Sequence, residues 1–149
     1  MKLLKGLWIG FWSGLLLGIL LKWIQAVTGE QVYTLLLNVD FIPLIGGINW
    51  SEPVEFAFHL VISLLISIVY VYLAKRRPYT FGQLVLFSLA MCIPFFLLYF
   101  PLAALAVRRD VPALTDSGAI LYWMFAHLTY ALALPILYKT FERKNAASQ

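Results

Sequence analysis

Apolar residues fall into four long stretches, Leu3–Val27, Val54–Ala74, Tyr79–Val107 and Ser117–Tyr138, joined by polar or basic links. A helix needs about 20 apolar residues to cross roughly 30 Å of hydrocarbon. The pattern predicts an all-α integral membrane four-helix bundle, with helices over about 3–27, 53–74, 80–106 and 117–138 in one transmembrane domain, 1–149. The second stretch carries a polar stripe: Glu52, Glu55, His59, Ser63 and Ser67 recur at three- and four-residue spacing and so share a face. Hydrocarbon offers no hydrogen-bond partner, so this face is expected to turn toward other helices or a water-filled cavity.

The first stretch places Gly6, Gly10, Gly14 and Gly18 in strict four-residue register. Such a row lets a second helix approach closely, and in lipid packing drives association. The partner is left open between another helix of the chain and a second subunit. Lys22 continues the row and is followed by Trp23, an interfacial anchor. Residues 28–51 form the longest link. They are rich in Leu and Ile but interrupted by Asn38, Asp40, Pro43, Gly46 and Gly47, which suits an interfacial or re-entrant segment. It serves either as a lid over the bundle or as an anchor on the membrane surface.

Helix ends are marked. Ser51 or Glu52 can cap the second helix, with Pro53 in its first turn, where a missing N–H costs nothing. Lys75–Arg76–Arg77–Pro78 stops that helix, and Thr80 with Gln83 forms a capping box for the third. Pro94 and Pro101 are expected to kink or end the long third run. Asp116 or Thr115 suits the start of the fourth, Pro135 lies near its end, and the tail NAASQ is expected to fray.

Composition agrees: 62% of residues are hydrophobic and 12% charged, against about 25% charged in a soluble domain. The net charge of +4 sits at the ends of apolar runs with no basic-aromatic groove, so nucleic acid is not expected as a partner. With the N-terminus inside, eight cations lie inside (Lys2, Lys5, Lys75, Arg76, Arg77, Lys139, Arg143, Lys144) and three outside (Lys22, Arg108, Arg109). That favours N-in, C-in. Lys2 and Lys5 resemble the start of a signal peptide, but the apolar run is long and no small-x-small cleavage site precedes Ala26; an uncleaved first helix is expected. The single cysteine, Cys92, rules out an internal disulfide or thiolate metal site.

Depth brings the unusual residues together. His59 lies about 10 Å below Glu52, and His127 about 16 Å below Asp116, at 1.5 Å per residue. Glu55 is shallower, and Lys22 approaches from the first helix. A polar pocket of Lys22, Glu55, His59, Ser63, Ser67, His127 and Tyr130 is therefore expected. Histidine titrates near neutrality, and Glu/His/hydroxyl rows occur in proton relays and ion pathways. Glu55 would accept the proton, His59 and His127 would titrate, Ser63 and Ser67 would lead inward, and Lys22 would supply a counter-charge or attract an anion.

A satisfied polar cluster that locks helices together explains the same residues. No cofactor is expected. A metal held by His59, His127 and Glu55 is the weaker alternative, because no HExxH is present. An enzyme is not expected, because no GxSxG or phosphate-cradling loop occurs. His59-Leu-Val-Ile-Ser-Leu and His127-Leu-Thr-Tyr-Ala-Leu share a pattern that would suit parallel hairpin repeats, though chance explains it as well.

Gly14 to Lys22–Trp23, His59 with Ser63, Phe100–Pro101 and Ala126-His127-Leu128 together resemble the YagU-type small inner-membrane proteins of bacteria. The link between the first two helices differs in length and sequence. The resemblance implies a four-helix protein of the bacterial inner membrane and gives weight to Lys22, His59 and His127; it names no substrate. The expected function is proton-linked transport or ion passage through the polar pocket, with lipid and a small solute or proton as partners. The alternative is a membrane scaffold, homo-oligomeric through its glycine face.

Overall fold

The computed structural model describes residues 2–107 and 110–147, with side chains up to Arg143 in the last helix. Arg108 and Arg109, two of the outer cations in the sequence count, lie outside the described residues, as do the side chain of Lys144 and residues Ser148 and Gln149. The described residues form helices α1 (Lys2–Thr28), α2 (Val32–Leu36), α3 (Glu52–Ala74), α4 (Phe81–Leu97), α5 (Tyr99–Ala104) and α6 (Ser117–Ala147). Four segments are long and apolar enough to cross a membrane: Lys2–Thr28, Glu52–Ala74, Phe81–Ala104 and Ser117–Arg143. The protein is a multi-pass membrane protein with four spans.

The third span consists of α4 and α5. Leu98 between them keeps helical dihedrals (φ −64°, ψ −19°), so the hydrogen-bond ladder lapses while the chain keeps its course. Pro101 lacks the N–H that would have bonded the Leu97 carbonyl. Pro94 and Pro135, by contrast, sit inside α4 and α6 without ending them. The last helix runs beyond Tyr138 to Ala147. Six of the nine residues in its extension are good helix formers, Lys, Glu, Arg or Ala, and Lys5 of α1 holds Glu142 at 3.1 Å.

Caps follow the sequence. Thr80 and Gln83 form the reciprocal box, with Gln83 N–H donating to Thr80 Oγ1 (3.3 Å) and Thr80 N–H to Gln83 Oε1 (2.9 Å). Asp116 Oδ1 accepts from Ala119 N–H (3.0 Å) at the start of α6. Ser51 takes the position before α3, but its side chain makes no capping bond. The short α2 is started from outside: Gln25 Oε1 accepts the N–H groups of Tyr33 (3.0 Å) and Thr34 (2.9 Å).

The glycine row is the closest seam. A Cβ on Gly6 would lie 2.8 Å from Ile68 Cα, and one on Gly10 2.7 Å from Leu64 Cα. On Gly14 it would meet Ser63 Cβ at 2.7 Å, and on Gly18 it would overlap the Phe56 ring. The row therefore packs against α3 of the same chain and is occupied within the molecule. From there α1 packs along α6, and α6 along α4. The α3–α4 pair differs. These helices meet beside their connecting turn, where Tyr70 stacks on Phe87 (5.6 Å) and donates to the Leu84 carbonyl (3.3 Å). Farther from the turn they diverge around a cavity lined by Phe58, Ile62 and Ile66 of α3 and Phe95 of α4.

The two ends differ in charge. Lys2, Lys5, Lys75, Arg76, Arg77, Lys139 and Arg143 gather where α1 begins, α3 turns into α4 and α6 finishes. Glu30, Glu52 and Asp116 mark the opposite, acidic end.

Candidate functional site

The cavity between α3 and α4 holds about 370 Å³. Its walls are mainly apolar, with Leu17 of α1 behind and Leu102 of α5 beside it. Val39, Ile42 and Ile45 from the link after α2 roof it toward the acidic end. That link folds over the bundle, held by the Trp50 indole donating to the Ile45 carbonyl (2.9 Å) and by Val107 N–H donating to Asp40 Oδ2 (3.1 Å). Gly46 is required there, because a Cβ would strike the Asp40 carbonyl. Val61 and Ile62 line the cavity yet are 52% and 50% exposed. They mark its mouth on the side of the bundle, between the helices, and not on an end.

Opposite the mouth stands a polar wall of Glu55, His59, Ser63, His127 and Tyr130, five of the seven polar-pocket residues singled out from the sequence. His59 Nε2 lies 3.0 Å from the Gly14 carbonyl. A carbonyl only accepts, so Nε2–H donates and the neutral ring keeps Nδ1 as an acceptor. His127 Nδ1–H donates to the Trp123 carbonyl one turn earlier (2.9 Å), leaving Nε2 as its acceptor. The Trp123 ring lies against that imidazole (centroids 4.2 Å apart), and its indole donates to the Phe95 carbonyl in the last turn of α4 (3.0 Å). Each histidine is thus fixed in orientation by the backbone of a neighbouring turn or helix.

Ser63 Oγ donates to the Gly10 carbonyl (2.8 Å) and stands 3.1 Å from the Tyr130 hydroxyl, which donates back to it. With its proton aimed at a backbone oxygen, Ser63 ties α3 to α1 and, through Tyr130, to α6. Ser67 is fully buried one turn farther along α3 but does not line the cavity. Beyond it Tyr70, Val71, Leu84 and Leu134 pack without exposure above 1%, so a closed apolar layer separates the cavity from the basic end.

Lys22 lies elsewhere. Its ammonium reaches the acidic end and pairs with Glu52 at 2.5 Å, both side chains more than half exposed. A lysine near a helix end extends its charge toward water while its stem stays in the apolar layer. Depth counted along Cα atoms misses that extension. Glu52 also accepts from the Tyr33 hydroxyl (3.0 Å). Burial, and then the Glu52 carboxylate, hold the Tyr33 phenol protonated well above its ordinary range. Lys22, Gln25, Tyr33, Thr34 and Glu52 line an outer pocket of about 380 Å³. Glu55, only 3% exposed, lines both this pocket and the cavity.

Two site residues were not evident in the sequence. Trp123 reads there as one more apolar residue of a span. Asn38 reads as a helix breaker, yet it is 3% exposed and lines the cavity. Its Oδ1 accepts from Asp40 N–H (3.1 Å), which sets the amide's direction, and its buried Nδ2 has no hydrogen-bond partner among the described residues. Among the described residues, no three His, Cys, Asp or Glu side chains are placed to hold a metal ion. His59, His127 and Glu55 therefore share the cavity wall without forming a ligand set. No family model, curated protein or solved structure matches the chain.

Proposed function

We propose that this protein takes a small solute dissolved in the bilayer into the cavity between α3 and α4, and that proton exchange at Glu55 is linked to its passage. The setting is the bacterial cytoplasmic membrane, as the resemblance to the YagU-type proteins implies, with the basic end inside. One observation carries this reading: a single cavity has half-exposed Val61 and Ile62 at its mouth, and on its walls His59, His127, Tyr130 and the Asn38 amide, unpartnered among the described residues. A mainly apolar pocket of about 300–1,000 Å³ with a few convergent polar groups is the usual form of a ligand site. Two imidazole acceptors and an amide donor suit an uncharged head bearing a hydroxyl or a protonated acid, on a hydrocarbon body. A fixed charge there would lose its hydration with too little in return. Glu55 borders the outer pocket and the cavity, which suits a carboxylate that passes protons between them.

A photoactivatable long-chain alcohol in nanodiscs tests the site. Labelling is expected to concentrate on residues 58–66 and 95–102, to fall when unlabelled alcohol competes, and to fall again in Ile62→Trp, which fills the mouth. Labelling spread evenly over all lipid-facing segments, insensitive to competitor, rejects the proposal.

A further inference from the structure

A third concavity, at the basic end, has a different chemistry. It holds about 460 Å³ and is lined by Lys2, Lys75, Arg77 and Lys139, with Tyr79 and one carboxylate, Glu142. These side chains come from the first turn of α1, the α3–α4 turn and the last turns of α6. Glu142 is already committed on both oxygens: Oε1 lies 3.1 Å from Lys5, buried behind it, and Oε2 lies 3.7 Å from Lys139. Lys2, Lys75 and Arg77 have no carboxylate partner among the described residues. Arg77 uses Nε on the Tyr79 hydroxyl (2.8 Å), and its terminal N–H groups have no acceptor among the described residues.

Orientation in the membrane asks only that basic residues stand near the inner ends of spans. It does not ask that cations distant in sequence gather around one concavity with a single carboxylate. Gathered like charges repel, and an anion in the basin relieves that repulsion. A guanidinium fork beside ammonium groups suits the oxygens of a phosphate. The basin lies where spans end, so the headgroup layer is the nearest source of phosphate, and basic pockets between spans on that side are a recurrent lipid-headgroup site.

We propose that this basin is a phosphate-oxyanion site filled by the headgroup of an anionic phospholipid. Native mass spectrometry of the full chain, released from micelles holding equal phosphatidylglycerol and phosphatidylcholine, tests it. The anionic lipid is expected to be retained in preference by at least about fivefold, since each basic residue near a membrane surface contributes about that factor. Arg77→Gln and, independently on α6, Lys139→Gln are expected to erode the preference, while Arg76→Gln, a neighbouring cation outside the basin, erodes it less. Gel filtration confirms that each variant is folded. Equal retention of the two lipids overturns the proposal, as does an Arg76→Gln loss equal to that of Arg77→Gln. Displacement of the lipid by millimolar inorganic phosphate would keep the oxyanion chemistry but overturn the membrane as its source.

Discussion

Glu30 shows how a single side chain can be set against its surroundings. It stands beside Asp116, outside the spans, and desolvation followed by the Asp116 carboxylate pushes its carboxyl above the ordinary range. The folded chain therefore holds the proton more tightly than the unfolded chain. Above the raised value the ionised group works against folding, and the penalty fades as pH falls through it. Glu30→Gln is expected to raise the melting temperature near neutral pH, with the gain shrinking toward about pH 4; a gain equal at both would refute the assignment. At this scale the sequence was informative about residue type and less so about reach. The one-turn spacing of Glu55, His59 and Ser63 was enough to place them on one wall, because Cα position fixes short side chains. Lys22 and Lys5 were harder to place. One extends out to Glu52, and the other, read as a topology signal, is 1% exposed with its ammonium 3.2 Å from the Tyr138 ring centroid. A flexible four-carbon stem separates each charge from its backbone by more than a helical turn.

Among the elements, the α1–α3 pair depends on the absence of side chains. Gly10→Ala would put a methyl group 2.7 Å from Leu64 Cα, backbone that cannot rotate away. The helices must separate, at a cost of about 1–3 kcal/mol for overpacking. Gly82→Ala meets nothing within 4 Å and serves as the matched control; there the more restricted unfolded chain should leave stability unchanged or raise it by up to about 1 kcal/mol. Thermal unfolding in detergent compares the two, and equal effects would contradict the packing described. The four-residue period showed a packing face but could not name its partner, since a row of glycines suits any helix. Capping was legible for α4 and α6, where Thr80, Gln83 and Asp116 act within their own turn. The start of α2 was not, because Gln25 supplies the acceptor from eight residues away.

For the whole molecule, the four spans were legible because hydrocarbon thickness sets helix length. The cavity was not. It arises where α3 and α4 diverge and the link after α2 covers the gap, and no local pattern encodes the distance between two helices. Lateral access also bears on the proton-linked half of the proposed function. Liposomes with an internal pH dye should acidify faster with wild type than with Glu55→Gln or His127→Ala when the solute is present in the bilayer. Background flux in all three would remove proton linkage and leave solute binding to stand alone. The packed layer of Tyr70, Val71, Leu84 and Leu134 adds a condition: without solute, wild type should leak no more than either variant.

The seam between α3 and α4, which has no glycine row, has a mechanical consequence. α1 and α3 are locked at a separation that no rotamer can adjust, whereas α3 and α4 touch at Tyr70 and Phe87 and stand apart around the cavity beyond them. Squeezing the bundle sideways would narrow that wedge first and leave the α1–α3 distance almost unchanged. Acyl-chain crowding in the host membrane would therefore act on the volume open to a guest before it acted on the scaffold that surrounds it.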